Sequence, residues 1–171
     1  MTSYVALLRG VNLMGGTVLR MADLKALAEE LGFTSVRTFI ASGNLLFETA
    51  KGEASVKAAL EAAVKSHMSR EVGVMVRTAG EMEQVLAANP FAGEPGNRVV
   101  AIFLDEAPAA DALDAAKNIA DERMALGTRE IYVHYPSGQG QSKLAIPAAA
   151  RGTARNMNTV AKLGELAREK A

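Results

Sequence analysis

The stretch Val36-Arg37-Thr38-Phe39-Ile40-Ala41-Ser42-Gly43-Asn44-Leu45-Leu46-Phe47 decides the fold. Its first six residues are β-rich, and an apolar triplet closes it. Between them, Ser42-Gly43-Asn44 is either a tight turn joining two strands or a bulge within one. A turn makes the first half of the chain β-α-β-β-α-β, whereas a bulge removes one strand. Upstream, Tyr4 to Val11 is an apolar run long enough for one buried strand, and Leu13 to Gly16 reads as a glycine-bearing loop. Leu24, Leu27, Ala28 and Leu31 then recur three and four apart, the stripe of a helix lying on a sheet, with Gly32 placed for its C-terminal cap. Downstream, Val56, Leu60, Val64 and Met68 predict a helix from about Ala54 to Ser69, and Val72, Val74 and Val76 alternate as a strand. Thr78 and Glu81 have the spacing of a capping box, and Asn89-Pro90 ends the helix that they start.

Beyond Pro90 the pattern weakens. Val99 to Leu104 predicts a strand. Pro108 suits the first turn of a helix whose buried side is Leu113, Ala116 and Ala120. Ile131, Val133 and Tyr135 alternate as another strand. After a loop from Pro136 to Gln141, a short helix near Ser142–Ala149 and a last one near Thr159–Ala167 complete the chain. The expected class is α+β: two small α/β-sandwich lobes forming one compact unit. Residues 1–78 make a ferredoxin-like first lobe, and residues 79–171 a second α+β lobe with C-terminal helices. Many of the 32 alanines are helix filler with no chemistry attached.

Composition narrows the function. An apolar fraction of 49% with 22% charged residues excludes global disorder. The absence of cysteine excludes disulfides, thiolate nucleophiles and zinc knuckles, and two histidines are too few for a histidine-rich metal site, so no metal is expected. Nineteen basic residues balance nineteen acidic ones, which argues against a protein held on nucleic acid by counterion release. Val36 to Ala41 also lacks the glycine and paired aromatics of an RNA-recognition strand. The opening residues lack a secretory pattern, and no apolar run approaches a membrane span, so a cytoplasmic protein is expected. Charge is nevertheless patterned: Asp105 to Glu122 holds six acids and one base, and Ser137 to Ala171 holds six bases and two acids. The two segments are either solvated faces or, in the second, a patch for an anion.

Three groups of polar residues are candidates for ligand binding. Pro136-Ser137-Gly138-Gln139-Gly140-Gln141-Ser142-Lys143 combines glycines, which let backbone amides approach a ligand, with a lysine. It is neither a Walker A loop nor a dinucleotide fingerprint. Its bland reading is a flexible loop whose Ser142 caps the next helix. In Thr153-Ala154-Arg155-Asn156-Met157-Asn158-Thr159, one of the two asparagines is a helix cap, and Arg155 with the other is left for a ligand or for solvent. Arg9-Gly10-Val11-Asn12 and Ser42-Gly43-Asn44 lie at strand ends, where α/β sheets gather ligands. No general acid–base pair stands out. His134, out of phase with Val133 and Tyr135, reads as a sheet-surface residue and pairs only weakly with Ser137 or Ser142 as a nucleophile system. His67 reads as a surface or capping residue.

The motifs Tyr4 to Asn12, Met21-Ala22-Asp23-Leu24, Leu31-Gly32-Phe33, Val36 to Asn44, Ala88-Asn89-Pro90-Phe91, Tyr135-Pro136 through Leu144, and Thr153 through Leu163 occur in the order seen in the bacterial family named domain of unknown function 1697. The chain resembles that family over nearly its whole length. The resemblance implies an α+β fold with a ferredoxin-like N-terminal part and implies no activity, substrate or cofactor. Two positions depart from the family pattern: Met157 stands where a tryptophan is usual, and Gly16-Thr17 where a lysine or second polar residue is often found.

The functional expectation is a small anionic or phosphorylated ligand. Arg9 and Arg155 would orient its oxygens, Lys143 would neutralise its charge, and Asn12, Ser42, Asn44, Ser142, Asn156 and Asn158 would add hydrogen bonds. The competing expectation is a non-catalytic interaction protein, monomeric or homodimeric, whose polar motifs are folding devices. Neither identifies a catalytic residue or a cofactor.

Overall fold

Ser42-Gly43-Asn44 is a turn. The computed structural model describes residues 1–12 and 18–169, so the loop reading at Leu13–Gly16 and the family departure at Gly16-Thr17 lie outside the described residues. Strand β2 (Thr34–Thr38) ends before the turn and β3 (Asn44–Thr49) begins in it. Left-handed backbone at Ile40 and Gly43 reverses the chain. With β1 (Thr2–Leu8), α1 (Met21–Glu30), α2 (Glu53–Met68) and β4 (Val74–Thr78), the first half reads β-α-β-β-α-β. Its sheet is wholly antiparallel in the order β2-β3-β1-β4, an arrangement compatible with the ferredoxin-like pattern.

The local signals act as their chemistry requires. Helix α2 buries Val56, Leu60, Val64 and Met68, its period-four stripe. Helix α1 stops at Gly32 (φ +86). There Gly32 N–H donates to Glu29 O at 3.0 Å and Phe33 N–H to Ala28 O at 3.2 Å, a Schellman closure that satisfies two terminal carbonyls. Helix α3 (Ala79–Ala87) starts with a full capping box: Glu81 N–H donates to Thr78 Oγ1 at 3.1 Å, and Thr78 N–H to Glu81 Oε1 at 2.8 Å. The core joins Tyr4, Ala6 and Leu8 of β1 and Phe47 of β3 to Leu24 of α1 and Leu60 of α2.

The chain clusters into two compact units, Met1–Met82 with Leu163–Ala171, and Glu83–Lys162. The last turns of α4 (Met157–Glu169) therefore belong with the first unit. There Arg37 Nη2 donates to Leu166 O at 2.9 Å and to Glu169 Oε2 at 3.1 Å, so a cation meets a helix C-terminus whose carbonyls lack intrahelical partners.

The second unit holds β5 (Val99–Phe103), β6 (Arg123–Leu126), β7 (Glu130–His134) and β8 (Thr153–Asn156) in an antiparallel sheet ordered β6-β7-β5-β8. This is the connectivity of the first sheet, repeated four strands later. Val5 lies between Leu46 and Arg77 in one sheet, as Ala101 lies between Tyr132 and Arg155 in the other. Arg77 and Arg155 thus hold equivalent places, each one residue before a helix cap. Asn156 accepts from Thr159 N–H at 2.9 Å as Thr78 accepts from Glu81, so Asn156 is the capping asparagine.

Two expected helices are absent. The segment from Pro108 to Ala120 forms only a 3₁₀ turn at Ala112–Ala115. Asp111 and Asp114 repel at helical spacing, Leu113 alone supplies a large apolar contact to the core, and Asn118 is left-handed (φ +59). Near Ser142–Ala149 the chain forms 3₁₀ turns at Gln139–Gln141 and Pro147–Ala149, because Pro147 would break a helix interior. The two segments instead bridge each other: Lys117 N–H donates to Ala145 O at 2.8 Å and Ala145 N–H to Lys117 O at 3.0 Å. The strands β6 and β8 were not expected. Their backbones are recruited by pairing with β7 and β5.

One face of the second sheet is apolar, with Val100, Ile102, Leu104, Ile131, Val133 and Tyr135. The other carries Glu130, Tyr132, His134, Thr153 and Arg155, all buried. His134 does point away from Val133 and Tyr135, but it is 5% exposed, which corrects its reading as a surface residue.

Candidate functional site

Asn12 and Asn44, at the strand ends of the first unit, each bond to loop backbone. Asn12, in left-handed conformation, donates from Nδ2 to Leu19 O at 2.9 Å and Ala41 O at 2.6 Å. Its Oδ1 accepts from Leu19 N–H at 2.7 Å. Asn44, fully buried, donates to Phe39 O at 2.9 Å and Ser42 Oγ at 3.0 Å. The amides of Asn12 and Asn44 thus replace backbone partners that the turn cannot supply. Arg9 is exposed just past β1, its N–H bonded to Gly73 O at 2.9 Å.

In the second unit, Arg155 is buried and donates to Thr153 Oγ1 at 2.7 Å and Ala154 O at 3.0 Å. Desolvation lowers its guanidinium to about 10, still fully charged at neutral pH. Nearby in the sheet, Tyr132 donates to Val85 O at 2.7 Å, and burial, assisted by the Glu130 charge, pushes its phenol up to about 12. Asn158 is exposed in the first turn of α4, against Gly96.

Ser142 and Lys143 open onto a cleft of about 660 Å³ between residues 118–122 and 137–143. Two hydroxyl–carboxylate pairs span it. Ser137 donates to Asp121 Oδ2 at 2.5 Å, and Ser142 donates to Glu122 Oε2. Ser142 Oγ also accepts from Leu144 N–H at 3.1 Å, so it braces a turn and does not cap a helix. Glu122 Oε1 accepts from Ala120 N–H at 2.7 Å. Gly138, at φ +88, turns the loop through a region that side chains avoid. Lys143 is exposed and makes no ion pair or hydrogen bond among the described residues.

The Ser142 hydroxyl, followed by the Ala120 N–H, holds the Glu122 carboxyl below the ordinary carboxylate range. A folded value below the unfolded one stabilises the fold above the unfolded value, and this contribution is lost as pH falls through the folded value. Ser142→Ala should therefore flatten the acid limb of a urea-midpoint-against-pH profile below about pH 4.5. An unchanged acid limb would show that Ser142 does not hold this proton equilibrium.

The sequence marks the loop with Ser137, Ser142 and Lys143 but not Asp121 and Glu122, the partners of its two serines. The Ser142–Glu122 contact spans some twenty residues and depends on the Lys117–Ala145 bridge, which no local pattern encodes. Sequence reasoning also missed a second cleft, of about 400 Å³, lined by Glu94, Pro95, Asn97, Arg98, His134 and Pro136. Among the described residues no cluster of three or more histidines and acids could hold a metal. No described helix is long and apolar enough to cross a membrane.

A family model described as "Protein of unknown function (DUF1697)" matches residues 1–132. The chain belongs to the DUF1697 family. The match takes in the whole first sheet and ends inside β7, so the 136–143 loop and β8 of this DUF1697 chain lie beyond it. A solved structure, the conserved bacterial protein SP0830 from Streptococcus pneumoniae, is 25% identical. It superposes with a TM-score of 0.81 over 97% of this chain and 98% of its own. The likeness therefore includes the second sheet. No curated protein matches this DUF1697 chain.

Proposed function

We propose that the protein binds a small phosphorylated, hydroxyl-bearing molecule in the cleft between residues 118–122 and 137–143. The observation that carries this reading is the unpaired ammonium of Lys143 in one cleft with two carboxylates that each accept a serine hydroxyl. Lys143 suits a phosphate. Asp121 and Glu122 would repel a bare anion, but each accepts a hydroxyl hydrogen, the role that Ser137 and Ser142 now play. A polyol phosphate satisfies both demands. A thermal-shift screen of sugar and glycerol phosphates, with the unphosphorylated polyols as controls, identifies the ligand.

Lys143→Ala should then weaken binding by about 1–3 kcal/mol, the scale of a charge-assisted hydrogen bond. Affinity should fall with added salt. Stability should stay within about 0.5 kcal/mol of the parent in urea, since an exposed unpaired lysine contributes little. Unchanged affinity in this variant would reject the cleft as the binding site.

A further inference from the structure

His134 ends β7 with its side chain 7% exposed, yet it borders the smaller cleft with Glu94, Asn97 and Arg98. Arg123 Nη2 lies 2.9 Å from His134 Nδ1. A guanidinium can only donate, so Nδ1 is an acceptor and the ring is neutral with its proton on Nε2. Arg123 is itself held, by Glu94 Oε2 at 3.1 Å and by the Phe91 ring 5.2 Å from its guanidinium carbon. The tautomer is therefore fixed by a braced partner. The Nε2–H has no hydrogen-bond acceptor among the described residues, because Glu94 Oε1 stands 3.8 Å away, beyond hydrogen-bonding distance. His134 lines the cleft, so this N–H is available there to an acceptor from outside the chain, water or a ligand.

The charge of the cleft says which acceptor. Arg98 and Glu94 balance in the lining, and Arg123, bonded to Glu94 and His134 beside it, adds one positive charge. Arg98 is anchored through Nη1 to Pro136 O at 2.6 Å, which leaves its other N–H groups open. A guanidinium edge beside an imidazole N–H matches the two oxygens of a carboxylate. A phosphate dianion would meet the Glu94 carboxylate with too little positive charge to offset it. The geometry points to a binding site for a small monocarboxylate, with Arg98 and His134 Nε2–H as its donors and Arg123 as a positioning residue that fixes the imidazole. This site is independent of the reading of the 137–143 cleft and stands or falls without it.

The chain has only two histidines, so its imidazoles are readily resolved by long-range proton–nitrogen NMR, with the exposed His67 as an internal reference. At pH 7.5 and constant ionic strength, the uniformly labelled full chain is titrated with sodium acetate and, separately, with inorganic phosphate. The expected result is a His134 ring protonated at Nε2 whose resonances move saturably with acetate while those of His67 do not follow. In Arg98→Gln the apparent Kd for acetate should rise at least about tenfold, the effect of losing one charge-assisted contact. Arg98→Lys, which keeps the charge, should show a smaller rise and serves if the glutamine variant does not fold. A ring protonated at Nδ1, no saturable shift of His134, tighter binding of phosphate than of acetate, or equal affinity in the Arg98 variants would each overturn the proposal.

Discussion

Gly43→Ala is expected to lower the unfolding free energy by about 2–5 kcal/mol, through two effects that add. The residue sits at φ +89, where a side chain is strained by about 1–2 kcal/mol. A Cβ there would also lie 2.7 Å from Val11 Cγ2 and 2.9 Å from Leu8 Cβ, overpacking of the kind that costs about 1–3 kcal/mol. Leu8 cannot retreat easily, since its N–H is bonded to Gly43 O at 2.9 Å. Gly32 separates the two effects. It has a similar φ of +86 but nothing within 4 Å of its missing Cβ, so Gly32→Ala should show the strain alone, about 1–2 kcal/mol. Urea unfolding of both variants gives the comparison. Equal losses would mean that the end of β1 yields to the added methyl at no cost.

Phe47→Ala should be of similar or larger size, about 3–5 kcal/mol. The ring is 1% exposed and stacked on Phe33 at 4.5 Å and on Tyr4 at 5.8 Å. Truncation removes both the buried area and two aromatic contacts, each worth about 0.5–1.5 kcal/mol beyond area. Phe47→Leu keeps most of the volume and should lose under half as much. If the two variants unfold at the same urea concentration, the rings matter only as apolar bulk.

The elements that sequence reasoning placed well are those whose signals are local. The four-residue stripe of α2, the Thr78–Glu81 box and Gly32 after α1 each specify a conformation within a turn or two. The elements it misplaced depend on distant partners. The segments Pro108 to Ala120 and Ser142 to Ala149 are alanine-rich like helices but offer little large apolar surface on one side, and propensity without burial does not hold a helix in water. Thr153-Ala154-Arg155-Asn156 looks like a polar loop because its alternate side chains face a polar layer, so the period-two signal of a strand is erased. The repeated connectivity was invisible for the same reason: it survives as strand register and as an arginine before a helix cap, with the crossover helices of the first copy reduced to 3₁₀ turns in the second. In the candidate site, glycines and a lysine advertised the 136–143 loop. The carboxylates that face it, and the arginine that fixes the His134 tautomer, carried no mark of their partnership.

The bonds from Arg37 to Leu166 O and Glu169 have a temporal side. They join residues 129 and 132 positions apart, with the whole of the second unit encoded between them. On a ribosome releasing about 5–20 residues per second, Arg37 emerges many seconds before its acceptors exist. During that interval the β2 arginine has only water to bond with. The first unit can assemble its helix-covered face early, but it acquires its final strap only when the end of α4 leaves the exit tunnel.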